Sequence, residues 1–123
     1  MRAMRILVLE PHAEVRALLA HVVERLGHEA VFPSGRHGEV LPEANVDVLL
    51  VEPADTAALS TAERLRSGCG ELPIVCASIH PDSEQSGALR PFAYLIKPFG
   101  LCELERALRG AVESVAAPAE LAS

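Results

Sequence analysis

Four short, almost unbroken apolar runs constrain this chain more than any other feature: Met4–Leu9, Val46–Val51, Pro73–Ser78 and Phe92–Ile96. A strand with one face in water alternates apolar and polar residues. These runs do not alternate, so each must be covered on both faces, as in a parallel sheet clothed by crossover helices. Between them lie stretches with helical spacing. Ala13–Leu26 puts Val15, Leu18, Leu19, Val22, Val23 and Leu26 on one face, and Gly27 follows as a stop. Leu101–Val115 does the same with Leu104, Ala107, Leu108, Ala111 and Val115.

The remaining elements are weaker. Glu29–Phe32 reads as a short strand ended by Pro33, Ser34 and Gly35, and Arg36–Leu41 as a weak helix before Pro42. Ala54–Ser67 reads as a helix in which Ser60 and Glu63 form an S-x-x-E capping box, so its regular part is expected to begin at Ser60. Pro81–Leu89 is polar, contains Gly87, and makes at best a stunted helix. The pattern is α/β: a doubly wound, five-stranded parallel sheet. A chain of 123 residues suits one domain, assigned to residues 1–115, with 116–123 as a flexible C-terminal tail.

Composition narrows the function. Aromatics make up 3% and Trp is absent, so Leu, Val, Ile and Ala must build the core. A net charge of -6 disfavours nonspecific nucleic-acid binding and docking on anionic lipid. No run approaches membrane-spanning length, and Ile6–Leu9 is too short for a signal-peptide core, so a cytoplasmic location is expected. Cys69, Cys76 and Cys102 match no metal spacing and read as reduced thiols, with Cys76 a small core residue.

In open α/β sheets, ligands bind beyond the carboxyl ends of the strands. The residues there are Glu10, Pro11 and His12 after strand one, and Glu52 after strand three. Ser78 and His80 follow strand four, and Lys97 and Pro98 follow strand five. Two carboxylates, a hydroxyl and an ammonium group therefore converge on one rim. This ordered set resembles the receiver domains of two-component response regulators. The matching stretches are Ile6–Arg16, Val46–Glu52, Leu72–Ser78 and Tyr94–Leu104, and the resemblance covers roughly Met4 to Val115. It implies a flavodoxin-like, CheY-like sheet of order 2-1-3-4-5 and a cis Lys97–Pro98 bond. It places Glu10 and Pro11 on the metal-holding acids and Glu52 on the phosphate acceptor. Ser78 falls on the phosphoryl-binding hydroxyl, Lys97 on the lysine and Tyr94 on the signalling aromatic. It also implies a protein partner, either a histidine kinase or an output protein. The partner would dock on the fourth and fifth helices with strand five.

The departures from that family imply a degenerate pocket. Pro11 supplies no carboxylate, so Mg²⁺ binding is expected to be lost or weak. Glu52 is one methylene longer than Asp, and a displacement of roughly 1 Å can cost ~100-fold in rate. Glu52 reads as a built-in mimic of the phosphorylated state or as part of a decayed pocket. The expected function is protein-protein interaction in signal transduction, without catalysis and without phosphorylation. A working phospho-receiver is the first alternative. A metal-responsive module using His12 and His80 is the second. A flavodoxin-like cofactor binder is disfavoured, because Glu10-Pro11-His12-Ala13 is no phosphate-cradling loop. With no phosphate to hold, Lys97 is expected to touch Glu10 or Glu52 directly, in a partly exposed pair contributing ~1 kcal/mol or less.

Overall fold

The computed structural model describes residues 3–33, 45–68, 71–80 and 87–121, with side chains described up to residue 115 of the last helix. Its elements run β1 (Arg5–Leu9), α1 (Ala13–Arg25), β2 (Glu29–Val31), β3 (Val48–Val51), α2 (Thr56–Gly68), β4 (Ile74–Ser78), β5 (Ala93–Ile96) and α3 (Leu101–Leu121). The five strands form one parallel sheet, as the alternation of runs and amphipathic stretches predicts, in the order β2-β1-β3-β4-β5 that the resemblance implies. Among the described residues, no helix is long and apolar enough to cross a membrane.

Successive strand side chains point to opposite faces, and the near-continuous apolar runs feed two separate cores. Ile6, Val8, Val48, Leu50, Val75, Ala77 and Leu95 join Leu19, Val22 and Val23 of α1 and Leu104 and Leu108 of α3. On the other face Leu7, Leu9, Leu49, Val51, Ile74 and Cys76 meet Ala58 and Ala62 of α2 and Leu89. Each fully buried aliphatic side chain contributes about 1.5–3 kcal/mol relative to exposure, so β1 and β3 anchor both layers at once.

Local chemistry sets the boundaries. Helix α1 ends as read, with Leu26 as C-cap and Gly27 at φ +89, a conformation that L side chains rarely adopt. Strand β3 starts at Val48 rather than Val46. The carboxylate of Asp47 accepts the Arg5 N–H at 2.8 Å, so Asp47 closes the strand's mouth instead of extending it. Strand β2 stops at Val31, leaving Phe32 43% exposed. The capping box at Ser60 and Glu63 is not the start of α2. Asp55 is the N-cap: its Oδ2 accepts the Ala58 N–H at 3.0 Å, and its carbonyl accepts the Leu59 N–H at 2.9 Å. The pattern misleads because S-x-x-E also fits a helix interior. Helix α3 continues past Val115 to Leu121. The weak helix expected over Arg36–Leu41 lies outside the described residues, as does most of Pro81–Leu89. Cys76 is buried as expected and Cys102 is exposed. Phe92 lies against α3 at Gly110, where an added Cβ would meet the ring at 2.9 and 3.0 Å.

Two substitutions separate the caps. Asp55→Ala removes the bond to the Ala58 N–H and is expected to cost about 1 kcal/mol. Ser60→Ala, inside the helix, is expected to stay within roughly 0.5 kcal/mol of the parent. Urea unfolding measures both; equal losses would return the helix start to Ser60.

Candidate functional site

The sheet order makes the site. Strands β1, β3, β4 and β5 are consecutive neighbours, so the residues leaving their carboxyl ends share one rim. Leu9 pairs with Val51, and the Glu52 N–H donates to the Leu9 carbonyl at 2.9 Å, which sets Glu10 and Glu52 side by side. On the far side, the Lys97 N–H donates to the Ser78 carbonyl at 2.8 Å and carries the β4–β5 ladder one rung past the strands. The Lys97–Pro98 bond is cis.

From there Lys97 reaches both acids. Its Nζ donates to Glu10 Oε1 at 2.6 Å and to Glu52 Oε1 at 3.1 Å. The other oxygen of each carboxylate accepts a backbone N–H from its own loop. Glu10 Oε2 takes that of His12 at 3.1 Å, and Glu52 Oε2 takes that of Ala54 at 3.1 Å. All four carboxylate oxygens therefore have a donor. Arg16 braces the first loop, its Nη1 donating to the Glu10 carbonyl at 3.1 Å.

The expectation of a partly exposed ion pair is corrected. The cluster is a triad, and its side chains are only 13% (Lys97), 1% (Glu10) and 8% (Glu52) exposed. The carboxylates fold back onto the N–H groups of residues two positions on, so they cover the strand ends instead of standing out in water. Burial is the largest single influence on the Lys97 ammonium and pulls its pKa down. Hydrogen bonds and charge from Glu10 and Glu52 outweigh it, and the pKa sits above the ordinary 10.5. The triad carries one net negative charge.

Ser78 is fully buried, and its Oγ accepts the His80 N–H at 3.2 Å. Tyr94 is half-buried, and its hydroxyl donates to the His80 carbonyl at 2.8 Å. The peptide groups of His80 are thus held from both sides, while its imidazole is exposed. Pro11 and His12 are exposed beside Glu10. Among the described residues, no three His, Cys, Asp or Glu side chains gather as metal ligands, and the His12 and His80 reading gains no donor set. Sequence reasoning named Glu10, Glu52, Ser78, Lys97 and Tyr94 but missed Arg16 and the backbone groups of His12, Ala54 and His80. Arg16 lay inside the matched stretch Ile6–Arg16, four residues after the loop it braces.

Comparison with solved structures places this geometry on a known scaffold. NtrX from Brucella abortus, solved with ADP, superposes at a TM-score of 0.80 and 20% identity, covering 98% of this chain and 29% of that one. A CheY-like response regulator receiver domain protein from Methanospirillum hungatei JF-1 superposes at 0.79 and 15% identity, covering 94% and 98%. The signal receiver domain of a modulated diguanylate cyclase from Desulfovibrio desulfuricans G20 superposes at 0.75 and 27% identity, covering 94% and 98%. The chain has the receiver fold; it spans under a third of NtrX and nearly all of the other two. No protein-family model matches the sequence, and no curated protein does.

Removing the cation tests the triad's energetics. Lys97→Met leaves two buried carboxylates facing each other and is expected to cost about 3 kcal/mol, the low end for a broken buried pair. A folded-state pKa above the unfolded one means the triad's contribution is fully present below ~10.4 and is lost as pH climbs through the folded value. Urea unfolding at pH ~8 and pH ~11 should show an alkaline loss in the parent that Lys97→Met lacks. Equal pH dependence in both proteins would refute the assignment.

Proposed function

We propose that this chain is an atypical receiver module that acts in signal transduction by binding another protein. Its signalling state is held by the Glu10–Lys97–Glu52 triad and is not switched by phosphate. One observation carries the reading: every carboxylate oxygen of Glu10 and Glu52 already has a donor, and one partly buried ammonium spans both acids.

Three physical points support it. A carboxylate that attacks phosphorus must present a free oxygen in line with the leaving group. Glu52 Oε1 is committed to Lys97 and Oε2 to the Ala54 N–H. Mg²⁺ demands a near-octahedral set of hard oxygens. The residues present do not suit it, since Pro11 brings no carboxylate and both oxygens of Glu10 already accept hydrogen bonds. Ser78, the residue on the phosphoryl-binding hydroxyl, has its Oγ engaged as acceptor by the His80 N–H of its own loop. The module is therefore read as a binder rather than an enzyme.

The partner surface is assigned to β5 and the start of α3. Ile96 and Leu101 are 47% and 45% exposed there, and Phe92, just before β5 and against Gly110 of α3, is 49% exposed. Exposed aromatic and aliphatic side chains are common anchors of a protein interface. Tyr94 on the same strand connects this surface to the rim through the His80 carbonyl.

Acetyl phosphate with Mg²⁺ tests the proposal. The intact chain is expected to gain no phosphoryl mass, and its amide spectrum around His80 and Tyr94 is expected to stay in place. A phosphoryl adduct that disappears in Glu52→Ala would instead establish a working phospho-receiver.

A further inference from the structure

The end of β1 away from the triad carries a titratable contact that the receiver reading does not use. Gly27, at φ +89, turns the chain out of α1 and back toward the sheet. The His28 N–H then donates to the Val23 carbonyl at 3.2 Å, which ties the residue to the end of the helix. Its imidazole is half-buried, and Nδ1 accepts the Met4 N–H at 3.0 Å. The next residue bonds to the same partner, the Glu29 N–H donating to the Met4 carbonyl at 2.9 Å. Buried Met4 is thus held by consecutive residues through its N–H and its carbonyl.

Strand β2 leans heavily on this clamp. It is an edge strand of three residues, and β1 is its one neighbour in the sheet. Its whole register is Arg5↔Glu29, Ile6↔Ala30 and Leu7↔Val31, and the His28 bond lies immediately before the first of these pairs. An imidazole nitrogen accepts a hydrogen bond only while it carries no proton; in the charged ring both nitrogens are donors. The Met4 N–H therefore requires a neutral His28 with its proton on Nε2. A proton added to Nδ1 sets donor against donor and breaks the bond.

The charges around the ring come from four elements. Arg25 of α1 and Arg109 and Glu113 of α3 line a cavity of about 240 Å³ together with His28. Both guanidinium groups oppose a proton on the ring, but each also lies 3.9 Å from Glu105, which offsets part of their charge. Glu113 offers a carboxylate in the same cavity. Glu29 of β2 is paired with Arg5 of β1 at 3.3 Å, and Asp47 holds the Arg5 N–H.

We propose that His28 is a proton-operated clamp: acidification loads Nδ1, frees the Met4 N–H from the ring and loosens the start of β2 from β1. Histidine is the side chain whose charge ordinarily changes between ~pH 5 and 8, so the clamp responds within the range a cell can reach. The device is independent of the triad, which closes the other end of β1.

The test is a titration of the full chain from ~pH 8 to ~pH 5, following the His28 ring and the backbone amides by NMR. The Met4 amide is expected to shift with the same midpoint as the His28 ring. Its exchange protection, corrected for intrinsic rates, is expected to fall roughly fivefold, as the loss of one hydrogen bond implies. Amides of β3 and β4 are expected to keep theirs. In His28→Asn, a side-chain oxygen takes the place of Nδ1 and accepts without titrating, so the Met4 response is expected to disappear while the other histidines still titrate. The proposal is overturned by a His28 ring that stays neutral throughout, or by a Met4 amide that ignores the ring's titration. A loss of protection spread equally over β3 and β4, or a Met4 response that survives in His28→Asn, overturns it as well.

Discussion

One ammonium group shared by two buried carboxylates is the interaction on which the rim of this fold depends. Charge taken out of water is expensive unless it is paired and every oxygen finds a donor. Glu10 and Glu52 leave adjacent buried strands, so their carboxylates are drawn together at the sheet's edge. Lys97 arrives from the end of β5 and supplies the countercharge, and the His12 and Ala54 N–H groups complete the shell. The geometry of three separate loops follows from satisfying those four oxygens.

The fold was readable because its signal is physical and redundant. Runs such as Leu49–Val51 have no polar side, and only a sheet covered on both faces hides them. The two-core structure, with Leu49 and Leu50 in different layers, is that requirement met. Element boundaries were less legible. Asp47 and Asp55 both act through a side-chain bond to a backbone N–H, and nothing in hydrophobic periodicity reports such a bond. The Ser60–Glu63 pattern pointed to a cap that the tertiary structure does not use.

The site was legible as a set of residue types and only partly as a geometry. Strand order carries Glu10, Glu52, Ser78 and Lys97 to one rim, and the family resemblance implied that order. Burial of the triad was not, because it depends on each carboxylate turning back to its own loop. A longer acid is suited to that turn: Glu has the extra methylene with which to reach both a neighbouring ammonium and a backbone N–H two residues on. Side-chain length thus decides how the carboxylates are satisfied at the rim.

The double hold on His80 has a mechanical consequence. The Ser78 hydroxyl grips its N–H and the Tyr94 hydroxyl grips its carbonyl, so a buried rim residue and a half-buried ring are geared through a single residue's backbone. Their positions are not two independent coordinates. Swinging the ring outward strips the His80 carbonyl of its donor, and tilting the His80 amide tugs on the serine. Whatever grasps Tyr94 from outside therefore acts on the sheet's interior edge as well, with the β4 loop as the lever arm.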